Sequence, residues 1–271
     1  MLKDITIGQY FPGTSPMHKM DPRMKISLTF LYIIALFMAK NIAAVGFGAA
    51  FVVICYLISK IPLNMIVKSL KPIIPIVIFT SILNMFFVES GDLIVDWGFI
   101  HIYRDGIVIS ILMSIRIICL IAGTGLLTYT TSPISLTDGI ERLLSPLKKI
   151  KVPVHEIAMM MTIALRFIPT LIEETEKIMS AQKARGADLE SGSIMDRAKA
   201  LIPILIPLFI SSFRRADELA LAMECRCYRG GEGRTRMKIL KFTPVDFIAL
   251  ALVILFMAGV WVFNSALPTV M

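Results

Sequence analysis

The strongest constraint on this sequence is a series of apolar runs: Ile26–Ala39, Ile42–Ser59, Pro72–Val88, Gly106–Thr130 and Val245–Phe263. A bilayer core takes about 20 helical residues to cross, and backbone groups inside it find no water. Each run is therefore expected to close its hydrogen bonds as a helix. Composition agrees, with 56% hydrophobic and only 18% charged residues in 271, well outside the range of soluble domains. The expected fold class is an all-α integral membrane protein of about five transmembrane helices, with a cytoplasmic coupling domain of long amphipathic helices.

The first two runs are separated only by Lys40 and Asn41, which predicts a hairpin of spans. In the second, Gly46, Gly48 and Ala50 offer a surface that another helix can approach closely. Pro75 predicts a kink near the start of the third. The acidic stretch from Glu89 to Asp105, with Asp92 and Asp96 against a single Arg104, reads as an outside loop, and Arg116 sits near the middle of the fourth run.

The net charge of +8 comes from 28 Lys and Arg against 20 Asp and Glu. In a membrane protein that excess belongs to cytoplasmic segments beside anionic lipid, not to nucleic-acid contacts. Placing the basic segments inside predicts a multi-pass protein of the cytoplasmic membrane, with a cytoplasmic N-terminus and the C-terminus outside. Residues 1–25 lack the apolar core of a cleavable signal peptide. The predicted division is 1–130 with four spans, 131–242 cytoplasmic, and 243–271 as the last span.

Residues 131–242 contain two shorter apolar stretches, Ile157–Ile172 and Ala200–Phe213, interrupted by Arg166 and Pro169 and by Pro203 and Pro207. Both have basic flanks on each side, so they are expected to lie at the cytoplasmic face without crossing. One long helix is predicted from Pro153 to Arg185, with Gly186 as its left-handed cap. Along it His155, Thr162, Arg166, Thr170, Glu173 and Lys177 form one polar stripe. A second helix is predicted from Ser193, with Asp196 completing a capping box, to about Arg229 before Gly230 and Gly231. Each begins apolar and ends charged, like a lever.

Each also ends on an arginine between small residues: Ala184-Arg185-Gly186 and Cys225-Arg226-Cys227. Either arginine alone reads as a cation at a helix C-terminus, favoured by the dipole. Repeated at both ends, the pattern reads as a protruding guanidinium whose small neighbours let it enter a groove and donate several hydrogen bonds.

Together with Gly8-Gln9-Tyr10, Met20-Asp21-Pro22-Arg23-Met24-Lys25 and Tyr228-Arg229-Gly230-Gly231, these motifs make the chain resemble the transmembrane T component of energy-coupling factor transporters, importers of the ATP-binding-cassette superfamily. The resemblance covers essentially the whole length. It implies a non-catalytic coupling subunit whose two arginine motifs dock on two cytosolic ATPase subunits, while a separate membrane component binds a vitamin or metal ion. Carried over residue by residue, it assigns ATPase binding to Arg185 and Arg226, flanked by Ala184, Gly186, Cys225 and Cys227. Family members usually have Ala where this chain has Cys225, and Cys is small enough to serve.

Three further features bear on function. Met159, Met160 and Met161 supply flexible apolar side chains suited to the substrate-binding component, or to filling an amphipathic core. Arg116 reads as a structural charge, with Asn84 a suggested partner; were it to line a substrate path, the protein would be a secondary transporter. A membrane scaffold without transport is the third reading. No cofactor is implied: the run Gly230-Gly231-Glu232-Gly233-Arg234-Thr235 lacks the Lys of a phosphate-binding loop, and His18, His101, His155 and the four cysteines show no metal-ligand spacing.

Overall fold

A computed structural model of the chain describes residues 9–88, 90–97, 100–187, 193–231 and 240–266. Of the motif residues quoted above, Gly8, Glu89 and the run from Glu232 to Thr235 lie outside the described residues. The helices are α1 (Pro16–Lys19), α2 (Pro22–Met38), α3 (Ile42–Ser59), α4 (Leu63–Leu70), α5 (Ile74–Phe87), α6 (Arg104–Thr130), α7 (Pro133–Leu143), α8 (Val154–Ala184), α9 (Ile194–Cys225) and α10 (Pro244–Ala266). Short 3-10 turns, Lys71–Ile73 and Ser145–Ile150, join α4 to α5 and precede α8. The all-α membrane class is the one observed. The stretch expected to be a loop instead forms a small antiparallel hairpin, β1 (Leu93–Trp97) with β2 (Ile100–Tyr103). The β-branched residues in Leu-Ile-Val and Ile-His-Ile suit strands, a signal outweighed in the sequence by the surrounding acids.

The chain divides into two compact units: Gln9–Gly139 with the residues from Leu240 onward, and those within Ile140–Ile239. Among the described residues, five stretches are long and apolar enough to cross a membrane: Ile42–Ser59, Leu63–Phe87, Arg104–Thr130, Val154–Ala184 and Pro244–Ala266. This set differs from the expected one by including α8 and omitting α2. At 17 residues, α2 lies at the lower limit of spanning length.

In the first unit, polar contacts fasten the helix ends. Asp21 caps α2, its carboxylate accepting from the Arg23 backbone N–H at 2.9 Å and from Arg23 Nη2 at 2.8 Å. Asp246, wholly buried, accepts from the Asp21 N–H at 2.9 Å and from the Thr243 N–H at 2.7 Å. One carboxylate thus satisfies orphan donors at the starts of both α2 and α10. Lys25 Nζ donates to the Thr130 carbonyl at 2.8 Å, fixing the start of α2 beside the end of α6. At the opposite end, Asn41 Nδ2 donates to the Phe263 carbonyl at 3.0 Å and Asn264 Nδ2 to that of Met38 at 2.6 Å. The Met20–Lys25 motif therefore has a structural explanation in this unit.

Between these ends, Tyr32, Leu36, Val45, Val52, Leu112 and Phe256 form the apolar core. Of the small residues in α3, Gly48 faces α2, where an added Cβ would lie 3.5 Å from the Leu36 side chain, whereas an added Cβ at Gly46 would meet nothing within 4 Å. Where a kink is expected near Pro75, the 3-10 turn Lys71–Ile73, which contains Pro72, separates α4 from α5, and Pro75 lies in the first turn of α5, where a missing N–H is tolerated.

Candidate functional site

The second unit is built around α8 and α9, of 31 and 32 residues. Each continues through its prolines. Because Pro207 has no N–H, the carbonyl of Pro203 loses its intrahelical donor. Gln182 of α8 supplies a replacement, Nε2 lying 3.3 Å from that oxygen. Farther along, Glu174 accepts from Arg215 Nη2 at 2.6 Å and from the Ser211 hydroxyl. At the beginning of α8, a Cβ on Gly231 would lie 2.6 Å from the His155 ring. Following α8 forward thus means following α9 backward, and the pair is antiparallel.

The capping box predicted for α9 is present: Ser193 Oγ accepts from the Met195 N–H at 3.2 Å and Asp196 accepts from the Ser193 N–H at 3.3 Å. Gly186 has the expected left-handed conformation, φ +85°. The far end of α9 differs from expectation. The helix stops at Cys225, short of the expected Arg229, because Cys227 takes φ +56° and turns the chain.

That departure makes the two tips equivalent. At the first, the N–H groups of Gly186 and Ala187 donate to the carbonyls of Lys183 and Gln182, both at 3.0 Å. At the second, those of Cys227 and Tyr228 donate to Glu224 at 2.8 Å and Met223 at 3.0 Å. Both are Schellman caps, which satisfy the last carbonyls of a helix. Arg185 and Arg226 occupy the same position in each, immediately before the left-handed residue. The tip residues Ala184, Arg185, Gly186, Cys225, Arg226 and Cys227 are all exposed. They are not brought together. On helices rising 1.5 Å per residue, an antiparallel pair of this length puts its tips about 45 Å apart. The two levers thus carry their arginines at opposite ends of the pair.

Around Thr170, Glu173, Glu174, Lys177 and Arg215 lies a crevice of about 330 Å³. Part of the predicted polar stripe is therefore gathered here. Sequence reasoning missed Glu174 and Ser211 because the doublet Glu173-Glu174 does not reveal which carboxylate faces α9. His155 is turned elsewhere, its Nδ1 lying 3.1 Å from Glu141 Oε1. Met160 and Met161 are exposed and Met159 is half-buried. Among the described residues, no group of His, Cys, Asp or Glu could hold a metal ion, and all four cysteines are free thiols.

Arg116 belongs to the membrane unit and is 6% exposed. Its Nη2 donates to the Ala39 carbonyl just past α2, and its Nη1 lies 3.8 Å from Met113 Sδ. Asn84 is engaged with Thr80 of its own helix at 2.9 Å, so the suggested Arg116–Asn84 pairing is replaced by a cation at the negative end of α2.

Residues 13–238 match the family model described as cobalt transport protein. The energy-coupling factor transporter transmembrane protein EcfT of Clostridium kluyveri is 58% identical over 250 residues, covering 92% of this chain and 93% of that protein. Its namesake in Bacillus subtilis is 49% identical over 246 residues, with 91% and 93% covered. The chain belongs to this family of energy-coupling factor transporter transmembrane proteins.

Proposed function

We propose that this protein is the non-catalytic coupling subunit of an energy-coupling factor importer, carrying ATP-driven motion from two cytosolic ATPase subunits to a separate membrane component that binds a vitamin or metal ion. The observation that carries the reading is the identical cap around Arg185 and Arg226. Each exposed guanidinium projects from a rigid helix end beside a small residue, the arrangement needed to enter a groove on a partner. Two tips at opposite ends of one pair fit two separate ATPase subunits. Closing those subunits would draw on both tips and tilt α8 and α9, and only contacts that differ between the two states would transmit the work. In this reading the N-terminus and residues 131–242 are cytoplasmic, the C-terminus is outside, and Met159, Met160 and Met161 face the substrate-binding component.

The test is co-purification with the ATPase subunits in mild detergent, followed by transport in reconstituted vesicles. Arg185→Ala or Arg226→Ala should each weaken association by about 2 to 5 kcal/mol, and the double variant should abolish it. Lys should rescue in part and Glu should be worse than Ala. Normal assembly and transport by the double variant would reduce both arginines to helix caps. Orientation is tested separately: a cysteine introduced at Asp92 or Thr269 should react with an impermeant reagent in intact cells, and one at Lys149 or Glu190 only after permeabilisation.

A further inference from the structure

In the membrane unit, α3 and α10 are close where α3 begins. Phe47 stacks on Phe256 with ring centroids 5.4 Å apart, and a Cβ at Gly259 would approach the Phe47 ring to 2.8 Å. Toward the other end a cavity of about 220 Å³ is bordered by both helices, with Ile54 and Ile58 on one side and Ala249 and Leu252 on the other. Ile54, Ile58 and Leu252 remain exposed, so the mouth lies on an apolar surface. Its inner wall includes Tyr32 of α2, whose hydroxyl is turned away to the Cys119 carbonyl at 3.1 Å.

The volume equals about seven waters, but ordered water needs two to four polar partners. The main polar group in the wall, Lys25 Nζ, is engaged by Thr130 and Thr131. A helix about 10 Å across is too wide to enter. A flexible hydrocarbon chain fits both the walls and the dimensions. The same end of the unit carries exposed Lys19, at the end of α1, and exposed Lys60, two residues beyond Ile58. That charge complements a phosphate.

We propose that this cleft holds one acyl chain of an anionic phospholipid, whose phosphate lies near Lys19 and Lys60. The inference concerns the membrane unit and does not depend on ATPase docking.

The test uses the full chain in vesicles of phosphatidylethanolamine and phosphatidylglycerol, with a phosphatidylglycerol probe carrying a photoactivatable diazirine in one acyl chain. Labelled peptides are mapped by mass spectrometry. Label should concentrate at Ile54, Ile58, Ala249 and Leu252, exceeding that at exposed Leu57 and Leu255. Ala249→Phe should remove most cleft labelling, with thermal unfolding checked in parallel. Lys60→Gln should lower it by about fivefold, the worth of one surface lysine toward anionic lipid. A phosphatidylcholine probe should label the cleft less. Even labelling of all lipid-facing residues in the unaltered protein would overturn the proposal without any variant, and equal labelling by the two probes would overturn its anionic part.

Discussion

The membrane unit and the α8–α9 pair are held together in different ways. In the first, buried side chains tie helix ends that are distant in sequence, as Asp246 does for Asp21 and Asn41 for Phe263. In the second, the Glu174–Arg215 tie across the helices lies at partly exposed positions, and large apolar residues such as Phe209 and Phe213 are exposed. The first fastens its own helix ends. The second presents a cationic tip at each end of its helix pair for partners, a division that suits the proposed transmission of motion.

The contrast can be broken most directly at Asp246. Asp246→Ala leaves the N–H groups of Asp21 and Thr243 without their acceptor, and should cost about 3 kcal/mol measured by thermal unfolding in detergent. Co-purification with ATPase subunits should persist for whatever fraction remains folded. A neutral result would show that the bundle does not depend on this fastening.

The tips are expected to respond more mildly. Gly186→Ala places a side chain at φ +85° and should cost about 1 kcal/mol, whereas Cys227→Gly relieves a left-handed cysteine and should gain a similar amount. Hydrogen exchange of the last turn of each helix reads both effects. Opposite signs at the two tips would sharpen their equivalence; loss of protection in both would refute it.

For the cross-helix tie, a double-mutant cycle on Glu174→Gln and Arg215→Gln should give a coupling of about 0.5 kcal/mol, since the pair is partly solvated. A coupling several times larger would mean that the pair is locked and not free to shift.

The smallest effect concerns His18, which accepts from the Ser15 hydroxyl at 2.7 Å and donates to the Phe11 carbonyl at 3.0 Å in the tautomer these partners favour. Burial pushes its pKa below 6.5, the Phe11 carbonyl opposes that, and Lys25 adds to it. The unfolded chain then binds the proton more readily. Stability should be full above about pH 6.5 and decline as pH falls through that value toward the folded pKa. His18→Gln should flatten that dependence in a melting series.

The helical class, the capping box at Ser193 and the cap at Gly186 were legible in the sequence because they depend on neighbours within one or two turns. So was the pairing of Arg185 with Arg226 as a repeated motif, although the helix end at Cys225 was not, since nothing local requires a cysteine to adopt a left-handed conformation. The β-hairpin was obscured by the acids around it.

What the sequence by itself determined is the helical class, the caps at Ser193 and Gly186, and that an arginine between small residues recurs near the ends of two long helices. Only the tertiary structure decided that these helices run antiparallel, that Glu174 and not Glu173 meets Arg215, and that Arg116 caps α2. Those outcomes depend on which side chains meet across tens of residues, and contacts at that separation leave no periodic signal in a single chain.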